Sequence, residues 1–303
     1  MFLVRRLLWF IPVLLAVATM TFALMHLVPG GPWDQEKALP ASVVANLNRK
    51  YGLDLPIWQQ YLQFLGGLAH GDLGLSFTHQ DQPVTELIFQ RLPATAALSA
   101  IALVIALVAG LGLGMLAASH QNSRLDYFSV AFATLGASMP NFVLGILLVL
   151  LVSIALRLLP TSGWGSPLHL ILPALTLSAF PAAYIARVTR SAMLDVLGQD
   201  YVRTARAKGL AERVVVLRHV LKNALIPVLT VSGPIAASLL TGSFIIETLF
   251  SVPGVGRLYV QSVLSRDYGL IMGATLLYGV TISLANLVVD LLYAVVDPRI
   301  RYR

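Results

Sequence analysis

Three ionisable side chains stand within or beside long apolar runs, where a charge is costly enough to count as a candidate for function. Asp290 lies well inside the run from Leu270 to Val296. It fits two roles equally: a carboxylate lining a path, or a hydrogen-bond partner for Ser, Thr and Asn side chains of neighbouring spans. Glu247 falls near the outer end of another run, within reach of external water or Arg257. His26 ends the first run, where an interfacial role fits better than a ligand role. Ion-coupled transport usually gathers more such groups at the membrane midplane, often with inverted repeats. No clear internal repeat is visible in this chain. Enzyme chemistry finds even less support. There is no cysteine, hence no thiol nucleophile, disulfide or cysteine-based metal site. No Walker A loop, HExxH or GxSxG motif occurs, so the sequence offers no visible machinery for binding ATP or for hydrolysis. An intramembrane enzyme would need a nucleophile and base, or a metal cluster, at matching depth.

A different kind of work suits the long polar stretch from Arg187 to Lys222. Asp200 is placed to N-cap a helix over Tyr201–Lys208, basic residues fill its last turn, and Gly209 supplies the left-handed position that stops it. Such a helix is about 12 Å long. Two turns are marginal in water, so something must pack on it. Beyond the glycine, Val214, Leu217, Val220 and Leu221 recur at helical spacing between Arg213, Arg218 and Lys222, which predicts a second helix along the membrane surface. A short helix presented on a basic cradle is a docking element.

The elements that position these residues are membrane spans. Of the 303 residues 57% are hydrophobic, and the mean hydropathy is +0.79, well beyond the needs of a soluble domain. The run from Leu7 to Val28 follows Arg5 and Arg6 and ends in Pro29-Gly30-Gly31-Pro32 rather than a small-residue cleavage site, so it reads as a retained first span and not a signal peptide. Five more runs follow: Pro93–Ala118, Phe128–Leu156, Leu168–Ala186, Ala224–Leu249 and Leu270–Val296. The expectation is an all-α integral membrane protein of six transmembrane helices. Pro140 divides the third span, Pro173 and Pro181 the fourth, and Pro227 with Gly233-Pro234 the fifth. Interrupted spans suit a bundle with a water-filled path. Pro140, Asn141, Ser238, Glu247 and Asp290 are its candidate lining. Gly110 with Gly114, Gly233 with Ala237, and Ser238 with Gly242 fit helix-packing faces rather than a nucleotide loop.

Between the first two spans, residues 29–92 read as a small extracytoplasmic domain. A helix over Ala41–Tyr51 is stopped by Gly52, and Pro56 opens another with Ile57, Tyr61, Leu62, Phe64, Leu65 and Leu68 on its apolar side. Its core is weak without disulfides. Domain 1–28 is then the first span and 93–303 the five-helix remainder, with the loop 187–222 inside it. With the N-terminus inside, fourteen Lys and Arg fall on the cytoplasmic side and seven outside. The positive-inside rule therefore sets both termini in the cytoplasm. The +7 net charge follows this membrane topology, so no nucleic-acid partner is implied; lipid is.

Tyr201-Val202-Arg203-Thr204-Ala205-Arg206-Ala207-Lys208-Gly209-Leu210, with Arg218-His219 and Asn223-Ala224-Leu225-Ile226-Pro227, resembles the cytoplasmic EAA loop of the ABC permeases that import peptides. Tyr51-Gly52-Leu53-Asp54, Gly71-Asp72-Leu73-Gly74, Glu247-Thr248, Pro253-Gly254-Val255-Gly256, Arg266-Asp267-Tyr268 and Asp297-Pro298-Arg299 extend the likeness over nearly the whole chain. The outer residues and the ending are most similar to the B-type subunits of the oligopeptide branch. Arg203-Thr204-Ala205 stands where the broader superfamily has Glu-Ala-Ala. The resemblance implies a type I ABC importer permease fold and places residues 201–210 against an ATPase. It also implies a second homologous permease subunit, two cytoplasmic ATPase subunits that hold ATP and Mg, and an extracytoplasmic binding protein delivering peptide. No cofactor is implied in this chain. Dipeptides, nickel chelates, glutathione or sugar stay open as cargo, as does an ion-coupled transporter.

Overall fold

The computed structural model describes residues 2–33, 39–79, 82–240 and 244–296, the side chains of 2–7, 137 and 289–296 excepted. Within these residues the chain is all-helical. It begins with α1 (Phe2–Leu27), followed by α2 (Ala41–Lys50) and α3 (Ile57–Ala69). Pro40 and Pro56 stand just before α2 and α3, with φ fixed near the helical value. Gly52, at φ +69°, turns the chain out of α2, while the N–H of Leu53 bonds back to Asn48 O at 2.8 Å.

The long α4 (Val84–Ser119) begins nine residues before Pro93 and keeps that proline inside it. The bent pair α5 (Arg124–Ser138) and α6 (Asn141–Leu148) follows, its second arm extended by a π-helical turn over Val149–Ala155. At Pro140 the two arms meet at 103°. Then come α7 (Leu168–Leu197), α8 (Asp200–Ala207), α9 (Glu212–Val214), a π-helical turn over Val215–Val220, and α10 (Leu221–Leu240). The chain closes with α11 (Phe244–Leu249), α12 (Val255–Leu264) and α13 (Tyr268–Val296). Five helices among the described residues are long and apolar enough to cross a membrane, and the bent α5–α6 pair brings the number to six when its two arms are counted as one span.

Three sequence expectations change. Pro173 and Pro181 do not interrupt the fourth span, nor Pro227 and Pro234 the fifth; all four lie inside continuous helices. Each proline removes one donor, the N–H that would bond the carbonyl four residues earlier, that of His169, Leu177, Asn223 or Thr230, yet the helix runs on through it. The expected surface helix after Gly209 is not a separate element. Residues 212–240 run as one 29-residue helical stretch, because no breaker separates Val214 from Asn223. The π turn also rotates the face, so that Val215 and Val220 are buried while Val214 and Leu217 point out.

The chain divides into two compact units. One comprises residues up to Ala94 together with Pro253–Thr281. In it α2 and α3 contribute no fully buried residue; Ile57, Trp58 and Leu62 are exposed although the sequence set Ile57 and Leu62 on an apolar side. Its core is instead Val84, Leu87 and Ile88 of α4 against Leu258 and Leu270, with Leu73 and Leu277 beside them.

The other unit, Thr95–Val252 with the end of the chain, is built on α7, against which α5, α6 and α10 pack. Helix α4 reaches α7 through two glycines one turn apart. A Cβ on Gly110 would lie 2.7 Å from the Ile185 side chain, and one on Gly114 would lie 2.5 Å from Thr189 Cβ. Neither position has room for a larger residue. Gly112 faces open space, so the periodicity of the small-residue face is that of one helix side.

Candidate functional site

Helix α8 owes its position to two small side chains. Val202 and Ala205, three apart and on one face, insert into a cluster with Met193 of α7, Ala118 of α4, Val215 and Val220 of the π turn and Ala224 of α10. Every other residue from Tyr201 to Leu210 is exposed. Two apolar pegs thus hold a short helix whose polar face is turned out. The helix spans Asp200–Ala207, with Gln199 rather than Asp200 at the N-cap. Asp200 is the first helical residue. Its carboxylate lies 3.6 Å from Arg203 and complements the helix dipole from within the first turn.

The other end closes as the glycine requires. At φ +76° Gly209 N–H bonds Arg206 O at 2.9 Å, and Leu210 N–H reaches back to Ala205 O at 3.4 Å. These two bonds satisfy carbonyls that the helix leaves over. Arg206 makes a two-pronged pair with Glu212 at 2.7 and 3.1 Å, which raises the guanidinium pKa and ties the end of α8 to α9. Asn223 Nδ2 donates to the Tyr201 hydroxyl at 2.8 Å, fixing the start of α8 to α10. A helix held at both ends and pegged beneath is able to pass a displacement to α7 and α10.

The five candidate path residues do not form one cluster of described contacts. Pro140 sits at the bend, exposed, and Asn141 opens α6 half-buried. Ser238 is exposed on α10. Of the two partners expected for Glu247, external water is ruled out by burial: the side chain is fully buried and accepts a hydrogen bond from Thr95 Oγ1 at 2.9 Å. Helix α11 carries it inward because α6 packs there, with Gly145 meeting Leu249 and Phe250. Asp290 belongs to α13, but its side chain lies outside the described residues, and Gly242 lies outside them altogether.

Two family profiles cover this arrangement. The binding-protein-dependent transport system inner membrane component matches residues 110–302, and the N-terminal membrane component of the same systems matches 1–99. The chain belongs to that transport family. Relatives of this permease include the oligopeptide transport system permease proteins OppB of Salmonella typhimurium, 45% identical, and of Haemophilus influenzae, 43% identical, each over 99% of both chains. The dipeptide transport system permease protein DppB of Bacillus subtilis is 43% identical over 95% of this chain and 94% of its own. Among solved structures, the MetNI methionine ABC transporter in an inward-facing conformation has a chain that superposes with a TM-score of 0.60 at 19% identity, over 71% of this chain and 99% of that one. That likeness is one of fold. The permease is a multi-pass inner-membrane protein.

One residue that matters to the permease drew no functional reading from sequence. Asp267, fully buried, directly precedes α13. Its Oδ2 accepts from the Ser76 hydroxyl at 2.6 Å, the Thr78 hydroxyl at 2.7 Å and the Thr78 N–H at 3.1 Å, while Oδ1 accepts from Leu270 N–H at 3.2 Å. Four donors from three residues thus converge on one carboxylate. The Nδ1 of His79 lies 3.1 Å from each of these hydroxyl oxygens. The available signal was an Asp placed to cap a long helix. Its partners are 189 and 191 residues distant, beyond any periodicity.

Proposed function

We propose that the chain is the B-type membrane subunit of an ATP-driven importer of short peptides, oligopeptides first. The observation that carries this reading is similarity along the whole length to proteins named as oligopeptide permeases, 45% identical over 99% of the chain. The dipeptide reading rests on an equally full-length relative at 43% and differs only in cargo size.

In this reading α8 is the coupling helix. Residues 201–210 dock on one of two cytoplasmic ATPase subunits, which hold the ATP and Mg; this chain supplies no ATPase site. A second homologous permease subunit completes the path, and an extracytoplasmic binding protein delivers peptide. ATP binding draws the ATPases together and moves α8, and its pegs Val202 and Ala205 carry that motion to α7 and α10, biasing the path between outward- and inward-facing states. Residues 29–92 form the external domain, 1–28 the first span and 93–303 the remainder, with both termini cytoplasmic. Pro140, Asn141, Ser238, Glu247 and Asp290 remain the proposed path lining, Glu247 acting from a buried position.

Proteoliposomes holding this chain with its partner permease, the ATPases and the peptide-loaded binding protein test the cargo. Uptake of a labelled tripeptide that stops without ATP is expected; uptake driven by an ion gradient alone would refute the importer reading. Orientation is tested by single cysteines, for which the native chain gives no background. In intact cells His70→Cys is expected to react with an impermeant thiol reagent and Ser191→Cys to stay unlabelled, and the reverse pattern would invert the topology.

A further inference from the structure

The clamp at Asp267 has a mechanical consequence for the permease. It gathers three pieces of chain at one point: the connection after α3, the first turn of α4, and the head of α13. The connection is pinned by Ser76 and Thr78 on the buried carboxylate. Its backbone lies directly on α13, because Gly269 leaves room that a Cβ, 2.6 Å from Leu75 O, would remove. One turn on, a Cβ at Gly273 would overlap the side chain of Val84, the first residue of α4. Both glycines have neighbours that are backbone or stiff β-branched side chain, so the approach cannot relax cheaply. Phe77 and Tyr268 add a ring contact at 6.1 Å, and Ser76 N–H to Gln82 O with Val84 N–H to Gly74 O closes the connection on itself.

This is an unusual fastening for a unit whose external helices bury no residue of their own. Helix α3 touches α1 through Tyr61 with Thr19 and Phe22 and through Gln60 with His26, and the connection that leaves α3 is pinned to one carboxylate at the start of a 29-residue helix. Four hydrogen bonds of fixed direction on one side chain hold the connection in a single register on the head of α13. A push on α2 or α3 is therefore delivered to α13 and α4 together.

We propose that Asp267 is a positioning residue for transport: it locks the α3–α4 connection onto α13, so that engagement of the external helices by a delivering protein moves the two membrane-crossing helices. The inference rests on the permease reading above and adds the route by which the outer face signals inward. The test uses the reconstituted complex and measures ATP hydrolysis per assembled complex, without and with binding protein loaded with a tripeptide. In Asp267→Asn, which keeps the side-chain shape, and in Gly273→Ala, which forces Val84 off α13, assembly and unstimulated hydrolysis are expected to persist. Stimulation by the loaded binding protein is expected to fall about tenfold, the scale of a typical coupling between sites. Ser76→Ala, which removes one of the four donors, is expected to fall between these and the unaltered protein. A purely structural role would lower the yield of complex while leaving the stimulation ratio of the surviving complex unchanged; that result, or full stimulation in all three variants, overturns the proposal. If the unaltered complex is not stimulated either, the importer reading has failed rather than this one.

Discussion

Two parts of this molecule are fastened by opposite means. Helix α8 is held by Val202 and Ala205 in an apolar pocket, and its charges, including Arg203, Arg206 and Lys208, are all on the outside. The connection before α4 is held by the buried carboxylate of Asp267, on which Ser76 and Thr78 donate from distant chain. Apolar pegs give affinity without direction, and they leave every charge of α8 on its outer face, where an incoming surface can meet it. A buried carboxylate gives direction and uses up its polar capacity internally. The first arrangement suits an element that presents itself to a partner; the second suits a joint that must not slip.

If that contrast is right, the largest effect comes from exchanging one kind of fastening for the other. Val202→Asp places an unpaired charge among Met193, Val215 and Val220 and is expected to cost at least about 3 kcal/mol locally. Helix α8 should leave its seat while the spans stay inserted, which limited proteolysis in the 197–212 region detects as new cleavage, with peptide uptake lost. Retained protection and uptake would mean the pegs do not hold the helix.

A smaller effect isolates the end of α8. A Cβ on Gly209 would meet no atom within 4 Å, so Gly209→Val perturbs the backbone alone, at the about 1–2 kcal/mol of a forced left-handed conformation. Uptake is expected to fall with insertion intact. Gly209→Asn, which tolerates φ +76°, should retain most of it. Equal loss in both variants would point to the surface around Gly209 rather than to its backbone.

Sequence reading went far where signals are local. Prolines before α2 and α3, glycines at 52 and 209, and apolar runs of spanning length each declare themselves within a few residues, and the structure has those helices. It went astray where neighbours decide. Prolines 173, 181, 227 and 234 looked like breaks because the sequence shows the missing donor but not the packing that keeps a buried helix whole. The π turn at 215–220 shifted an apolar face that ideal periodicity had put on Val214 and Leu217. For Glu247, depth along a span does not reveal that its carboxylate is buried with the Thr95 hydroxyl on it. Asp267 was quoted within a motif and given no role, since both partners lie in a loop far upstream.

In the importer reading the outward face of α8 meets an ATPase. A benzophenone amino acid in place of Ala207, exposed on that face, tests it directly in the assembled complex, with the same probe at Trp58 on α3 as the control. Light is expected to capture an ATP-hydrolysing subunit from position 207, at a yield that changes when ATP is added, and none from position 58. Capture from 58 and not from 207, with the ATPase present in the complex, would contradict it.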